Sequence, residues 1–174
     1  MIITKTDYQF NCYQLINNVK LITDNYLYRD QINLKYCDDN DHQRYSDSLW
    51  DKKLNKYVVD QSQFNKLIPQ LHDNYLCHVM ASINNFGIKS QLSIGRIRIN
   101  TLRPKSCLTY HSDTDSKCRL HIPVITNDKV FFIVDGVAGQ MLEVGTMYVL
   151  DVTKRHTAIN ASRDSRVHIV ADCY

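Results

Sequence analysis

Ile94-Gly-Arg-Ile-Arg-Ile-Asn-Thr-Leu102 alternates: Ile97 and Ile99 fall on one side, Arg96, Arg98 and Asn100 on the other. A period of two marks a strand whose faces meet different surroundings. Downstream the pattern repeats in short pieces, predicting strands at Leu108–His111, Arg119–Ile125, Lys129–Val134, Thr146–Asp151 and Arg166–Asp172. Pro104, Asn127-Asp128, Asp135-Gly136 and Val144-Gly145 punctuate them as turns. Upstream the period lengthens. Phe64, Leu67, Ile68, Leu71, Leu76, Val79 and Ile83 recur at three- and four-residue intervals, predicting a helix over Gln63–Phe86, broken near Pro69 and stopped by Gly87. Tyr8–Tyr28 has looser helical spacing, and Cys37–Ser48 is polar and reads as loop. All five glycines lie at or after Gly87, so turns concentrate in the second half.

Helices first and short strands after, without helix–strand alternation, predict a mainly β fold with N-terminal helices and an antiparallel jelly-roll, cupin-like double-stranded β-helix core. No linker or repeat interrupts the 174 residues, so a single domain is expected: residues 1–90 as a helix-rich part covering the core, and residues 91–174 as the β core carrying the site. The balance of 21 basic and 18 acidic residues gives +3 without a basic block, which argues against a nucleic-acid partner. No run of 18 apolar residues occurs and the start has no apolar leader pattern, so neither membrane association nor export is expected and the location is read as cytoplasmic. The six cysteines form no C-x-x-C pair, which excludes zinc ribbons and thioredoxin-type motifs.

His111-Ser-Asp113 closes one predicted strand, and in extended chain residues i and i+2 point to one side. An imidazole and a carboxylate can therefore meet a single ion. His156 follows the strand ending at Asp151. Two histidines and one carboxylate leave three coordination positions open, as a non-haem Fe(II) oxygenase needs for its co-substrate and O2. The same donors would also suit zinc. Arg166 and His168 share one strand face, and Arg119 and His121 share another. A guanidinium inside a small barrel is costly without a carboxylate, and two such cations near one metal suit a dianionic 2-oxo diacid.

Taken in order, Leu102-Arg-Pro104, His111-x-Asp113, Arg119-x-His121-Ile-Pro, Glu143-x-Gly145, Asp151, His156, Asn160 and Arg166-x-His168 with Asp172 resemble the aspartyl/asparaginyl β-hydroxylase-like 2-oxoglutarate oxygenases, which include bacterial proline hydroxylases. The resemblance spans roughly residues 95–172. It implies that His111, Asp113 and His156 ligate Fe(II) and that Arg166 pairs with the distal carboxylate of 2-oxoglutarate. It further implies that Arg119 and His121 serve the other carboxylate and that Asn100 helps hold the co-substrate. The implied reaction hydroxylates an amino-acid side chain of Asp, Asn or Pro type, free or in a peptide, with O2 and decarboxylation of 2-oxoglutarate to succinate and CO2. One departure stands out: the family's Pro-Gly turn before the metal strand reads Pro104-Lys105.

The competing reading is a non-catalytic or zinc-type β-barrel module using the same ligands. The two arginines discriminate, since zinc hydrolysis needs no buried pair of cations. Trp50 and Tyr110 are read as packing residues, His72 and His78 as structural or surface, and Asp38-Asp39-Asn40-Asp41 as a solvated loop without the later ligands of a calcium site.

Overall fold

The computed structural model describes residues 3–71 and 74–174. In chain order it places β1 at Ile3–Gln9, α1 at Cys12–Thr23, β2 at Gln31–Asn33, α2 at Leu76–Ser90 and β3 at Ile94–Leu102. There follow β4 at Ser106–Cys107, β5 at Cys118–Ile125, β6 at Val130–Val134, β7 at Val137–Gly139, β8 at Thr146–Leu150, β9 at His156–Asn160 and β10 at Arg166–Cys173. The major sheet runs β1-β8-β5-β10-β3-β2 and the minor sheet β7-β6-β9-β4, with antiparallel neighbours throughout. This is the double-stranded β-helix expected from the strand pattern.

Alternation then sorts chemistry by face. On β3, β5 and β10, Ile97, Ile99, Leu120, Ile122, Val124, Val167, Ile169 and Ala171 join Leu15, Val19 and Ile22 of α1 and Val79, Met80 and Ile83 of α2 in one hydrophobic cluster. The intervening residues turn inward: Arg96, Arg98 and Asn100; Arg119 and His121; Arg166, His168 and Asp172. All eight residues of β10 are buried, because the strand lies between β5 and β3 with both faces covered. A second cluster, including Leu102, Phe132, Val134, Leu150 and Ala158, closes the barrel between the sheets.

The N-terminal part is less helical than its spacing suggests. Between Gln61 and Leu71 the structure has single 3-10 turns at Gln61–Gln63 and Pro69–Leu71. Residues 72 and 73, with His72, lie outside the described residues. Phe64, Ile68 and Leu71 are buried, but from turns. The first turn is held by a capping box in which Asp60 accepts from the Ser62 N–H and Gln63 caps the Asp60 N–H. Nor does Gly87 stop α2. The helix continues to Ser90, Gln91 takes the left-handed cap at φ 56°, and a Cβ on Gly87 would stand 2.8 Å from Ile94 Cγ1. The loose pattern over Tyr8–Tyr28 begins in the last two residues of β1, which pairs with β8, and continues as α1, capped by the Asn11 side chain at the Gln14 N–H. Strands therefore also come from the N-terminal part, one at each edge of the major sheet.

In the second half, β4 at Ser106–Cys107 lies just ahead of the strand expected over Leu108–His111, of which His111 forms only an isolated bridge; β7 and β9 were not expected. His111 nevertheless bridges to the first residue of β9, its N–H reaching His156 O at 3.0 Å and the return bond measuring 2.6 Å. Two short ribbons, Lys35–Tyr36 with Lys66–Leu67 and Trp50–Asp51 with Lys56–Tyr57, lie outside the sheets.

Candidate metal centre

The bridge between His111 and His156 brings together side chains 45 positions apart. Ligand atoms of His111, Asp113 and His156 all lie within 4.8 Å of one another. His111 Nε2 is 3.5 Å from Asp113 Oδ1, and His156 Nε2 is 4.0 Å from Asp113 Oδ2. The other ring nitrogens are engaged: His111 Nδ1 contacts Thr109 O at 2.6 Å and His156 Nδ1 contacts Lys154 O at 2.9 Å. A carbonyl can only accept, so each Nδ1 carries the proton and each Nε2 keeps its lone pair for an ion. Burial lowers the pKa of His156, favouring the neutral, ligating form. Its Nε2 is buried without a hydrogen-bond partner. These donors fit a divalent cation, with the His111 side open to solvent.

Beside the centre lies a cavity of about 20 Å³ lined by residues that include Asn100, Arg119, His121, Phe132, His156 and Arg166. Arg166 is 1% exposed, and its Nε and Nη1 meet no partner. Its guanidinium carbon stands 5.6 Å from the centre of the Phe132 ring, and burial pulls its pKa down to about 10. His121 and His168 adjoin it, their Nδ1 atoms 3.4 Å apart, so at most one of the two nitrogens can be the acceptor of the other's proton. Burial, and then the charge of Arg166, holds both histidines well below 6.5 and therefore neutral. Both Nε2 atoms are buried and unpartnered. A buried cation with two unpartnered N–H groups is the complement of a carboxylate.

Arg119 lines the same cavity and is also tied to two carboxylates. Its Nε donates to Asp172 Oδ1 at 2.6 Å, and its Nη2 lies 2.7 Å from Asp113 Oδ2, off the line of a good hydrogen bond. Burial opposes its charge, but Asp172 and Asp113 more than offset this and the pKa is raised. Asp172 is the hub of a cluster that strand reading alone does not reveal. Its Oδ2 accepts from Arg98 Nη1 at 2.6 Å, Arg96 Nε at 3.2 Å and Gln61 Nε2 at 3.4 Å. Burial would raise the Asp172 pKa, yet Arg98, Arg119 and Arg96 hold it well below the carboxylate range. Arg96 also donates to Tyr45 O at 2.6 Å, and burial lowers its pKa to about 9.

Other expectations fall out variously. Trp50 is 40% exposed and meets Tyr57 edge-on, and Tyr57 Oη lies 3.1 Å from Thr114 Oγ1 in the loop after Asp113. Tyr110 is also part exposed, against Arg155. Neither aromatic is a core residue. His78 packs against Phe10 and Tyr75. Asp38 and Asp39 pair with Arg44 and Lys66, as a solvated loop would. All six cysteines are free.

An inward-facing His/Asp/His cluster and a buried arginine on a double-stranded β-helix define a jelly-roll protein of the 2-oxoglutarate-oxygenase architecture. Residues 17–174 match the aspartyl/asparaginyl β-hydroxylase family, and the chain belongs to that family. No curated protein matches the sequence. Among solved structures, the viral collagen prolyl hydroxylase of Paramecium bursaria Chlorella virus-1 superposes with a TM-score of 0.61 at 8% identity, covering 99% of this chain and 90% of that one. EvdMO1 superposes at 0.56 with 15% identity, over 98% of this chain and 46% of its own. A 2OG-Fe(II) oxygenase-family oxidoreductase from Burkholderia pseudomallei is 22% identical over 47% of this chain and 44% of its own, with a TM-score of 0.42. The chain thus spans under half the length of the last two.

Proposed function

We propose that this protein is an Fe(II)- and 2-oxoglutarate-dependent dioxygenase that hydroxylates an amino-acid side chain of Asp, Asn or Pro type, free or within a peptide, with release of succinate and CO2. The observation that carries the reading is Arg166, a wholly buried guanidinium with two unpartnered nitrogens in the cavity that also holds His156. A structural arginine would have been given a carboxylate, as Arg96, Arg98 and Arg119 were given Asp172. A zinc-type or purely structural module has no use for it.

In this reading His111, Asp113 and His156 hold the iron, Arg166 takes the distal carboxylate, and His121 and Asn100 line its approach. Iron with 2-oxoglutarate and O2 supplies the power to oxidise an unactivated C–H bond. The residues supply orientation and dryness: Phe132, Leu150, Ala158 and Val170 line the same cavity and keep water from the charges. Substrate approaches from the open His111 side, where Tyr57 reaches Thr114; Tyr57 also borders, with Val58, Asp60, Gln61 and Asp115, a cleft of about 320 Å³.

Anaerobic titration tests the reading. A visible absorption band that needs both Fe(II) and 2-oxoglutarate is expected, followed by O2-dependent succinate release that is stimulated by the substrate in an amino-acid and peptide panel. Metal binding without the band would replace the oxygenase by a zinc-type or non-catalytic module.

A further inference from the structure

We propose that Asp172 is a positioning residue for the metal centre: it restrains Arg119 so that Arg119 meets only one oxygen of Asp113 and leaves the other free for the ion. The inference rests on the metal-centre reading above and concerns a residue that touches neither His111 nor His156.

The geometry is a three-membered relay. Asp172 faces Arg119 directly across the β10–β5 register, and the pair is closed by Nε at 2.6 Å. The guanidinium is planar, so fixing Nε fixes the direction of Nη2, which lies 2.7 Å from Asp113 Oδ2. Asp113 Oδ1 is left 3.5 Å from His111 Nε2 without an arginine contact, while Oδ2, beside Arg119, stands 4.0 Å from His156 Nε2. Without Asp172 the same arginine would be free to turn and engage both oxygens of Asp113 in a forked pair, the geometry guanidinium and carboxylate prefer. That pair would compete with the metal for the carboxylate.

Asp172 is itself immobile. It is 0% exposed and accepts from Arg98, Arg96 and Gln61 on its second oxygen. Arg98 and Arg96 could have been served by any buried carboxylate on β10. The position opposite Arg119 is what gives the cluster a reach to Asp113.

The test is Co(II) binding under anaerobic conditions, read by its d–d absorption, in the wild type, Asp172→Asn, Arg119→Gln and the double variant. Outer-shell partners of metal ligands typically change affinity about 10- to 100-fold, so Asp172→Asn should bind Co(II) at least about tenfold more weakly. In the Arg119→Gln background the same substitution should have no further effect, because the competitor it releases is gone. Circular dichroism and melting verify the fold of each variant. Should Asp172→Asn fail to fold, Arg119→Lys substitutes for it. A lysine cannot form the forked pair with Asp113, so Co(II) affinity close to wild type is expected with the fold retained. Wild-type affinity in a folded Asp172→Asn protein, an equal loss with and without Arg119, or a loss of about tenfold in a folded Arg119→Lys protein overturns the proposal. Failure of the wild type to bind Co(II) would remove the metal-centre reading as well.

Discussion

Arg166 sets function against stability within one residue. Its guanidinium lies in a dry cavity with two nitrogens unpartnered, so ligand-free folding bears an uncompensated charge. Replacing such a charge by an apolar side chain of similar length is often neutral or stabilising by about 1–4 kcal/mol. Arg166→Met should therefore leave the urea midpoint of the ligand-free protein unchanged or higher. The same variant should raise the 2-oxoglutarate concentration for half-saturation by about 30-fold or more, since losing one partner of a buried charge pair costs about 2–5 kcal/mol. A lower midpoint would show that Arg166 is a structural ion after all. Co-substrate dependence equal to wild type would remove it from the site. Its inward direction was legible in the alternation of Arg166-Val-His-Ile. Its lack of a partner was not, because that depends on which carboxylates the neighbouring strands bring near.

The elements show where spacing informs and where it misleads. On β3, β5 and β10 the period of two separated core from chemistry correctly, because both faces of these strands are buried and only chemistry distinguishes them. The Asp172 cluster stayed hidden because it needs the register Asp172↔Arg119 and Arg98↔Val170, a relation between strands rather than along one. Phe64, Ile68 and Leu71 imitated a helix because two single 3-10 turns joined by the extended Lys66–Leu67 bury the same positions; Asp60-x-x-Gln63 was the capping signal for an interruption. Gln61, which that turn presents, accepts from the Arg96 N–H and donates to Asp115. Gly95 makes the approach possible, since a Cβ there would stand 2.8 Å from Gln61 Cβ. Gly95→Ala should displace Gln61 and destabilise by about 1–3 kcal/mol in urea titration; an unchanged midpoint would mean the turn is free to shift. The turn before β4 predicts the opposite sign. Lys105 has φ 51°. The left-handed conformation costs a side chain about 1–2 kcal/mol, so Lys105→Gly should stabilise by about 1 kcal/mol, and a loss of stability would show that the Lys105 side chain is needed.

At the scale of the molecule, the barrel interior is an array of charges whose protonation is fixed by folding. None of the described helices is long and apolar enough to cross a membrane. His121 and His168 are buried as neutral rings, held well below 6.5 by desolvation and then by Arg166. In the unfolded chain both would bind protons near pH 6.5. Below that pH the unfolded state therefore holds up to two more protons than the native state, and stability falls as pH falls. Above about pH 6.5 neither ring is protonated in either state, and their contribution is flat. Asp172 adds a second loss only below its ordinary range near 3.8, because three arginines keep it ionised in the fold. Unfolding free energy measured in urea at pH 8, 6.5 and 5 should thus decline across the lower interval and hardly change across the upper one. Arg166→Met gives the diagnostic comparison. Removing that cation relieves its repulsion on the two rings and raises their folded-state pKa toward 6.5, so the decline should still begin near pH 6.5 but be smaller and level off at a higher pH, while burial keeps it from vanishing. Equal stability at pH 8 and pH 5 would mean that the two histidines are charged in the fold, and with them the picture of Arg166 as the interior's unpaired cation would fail.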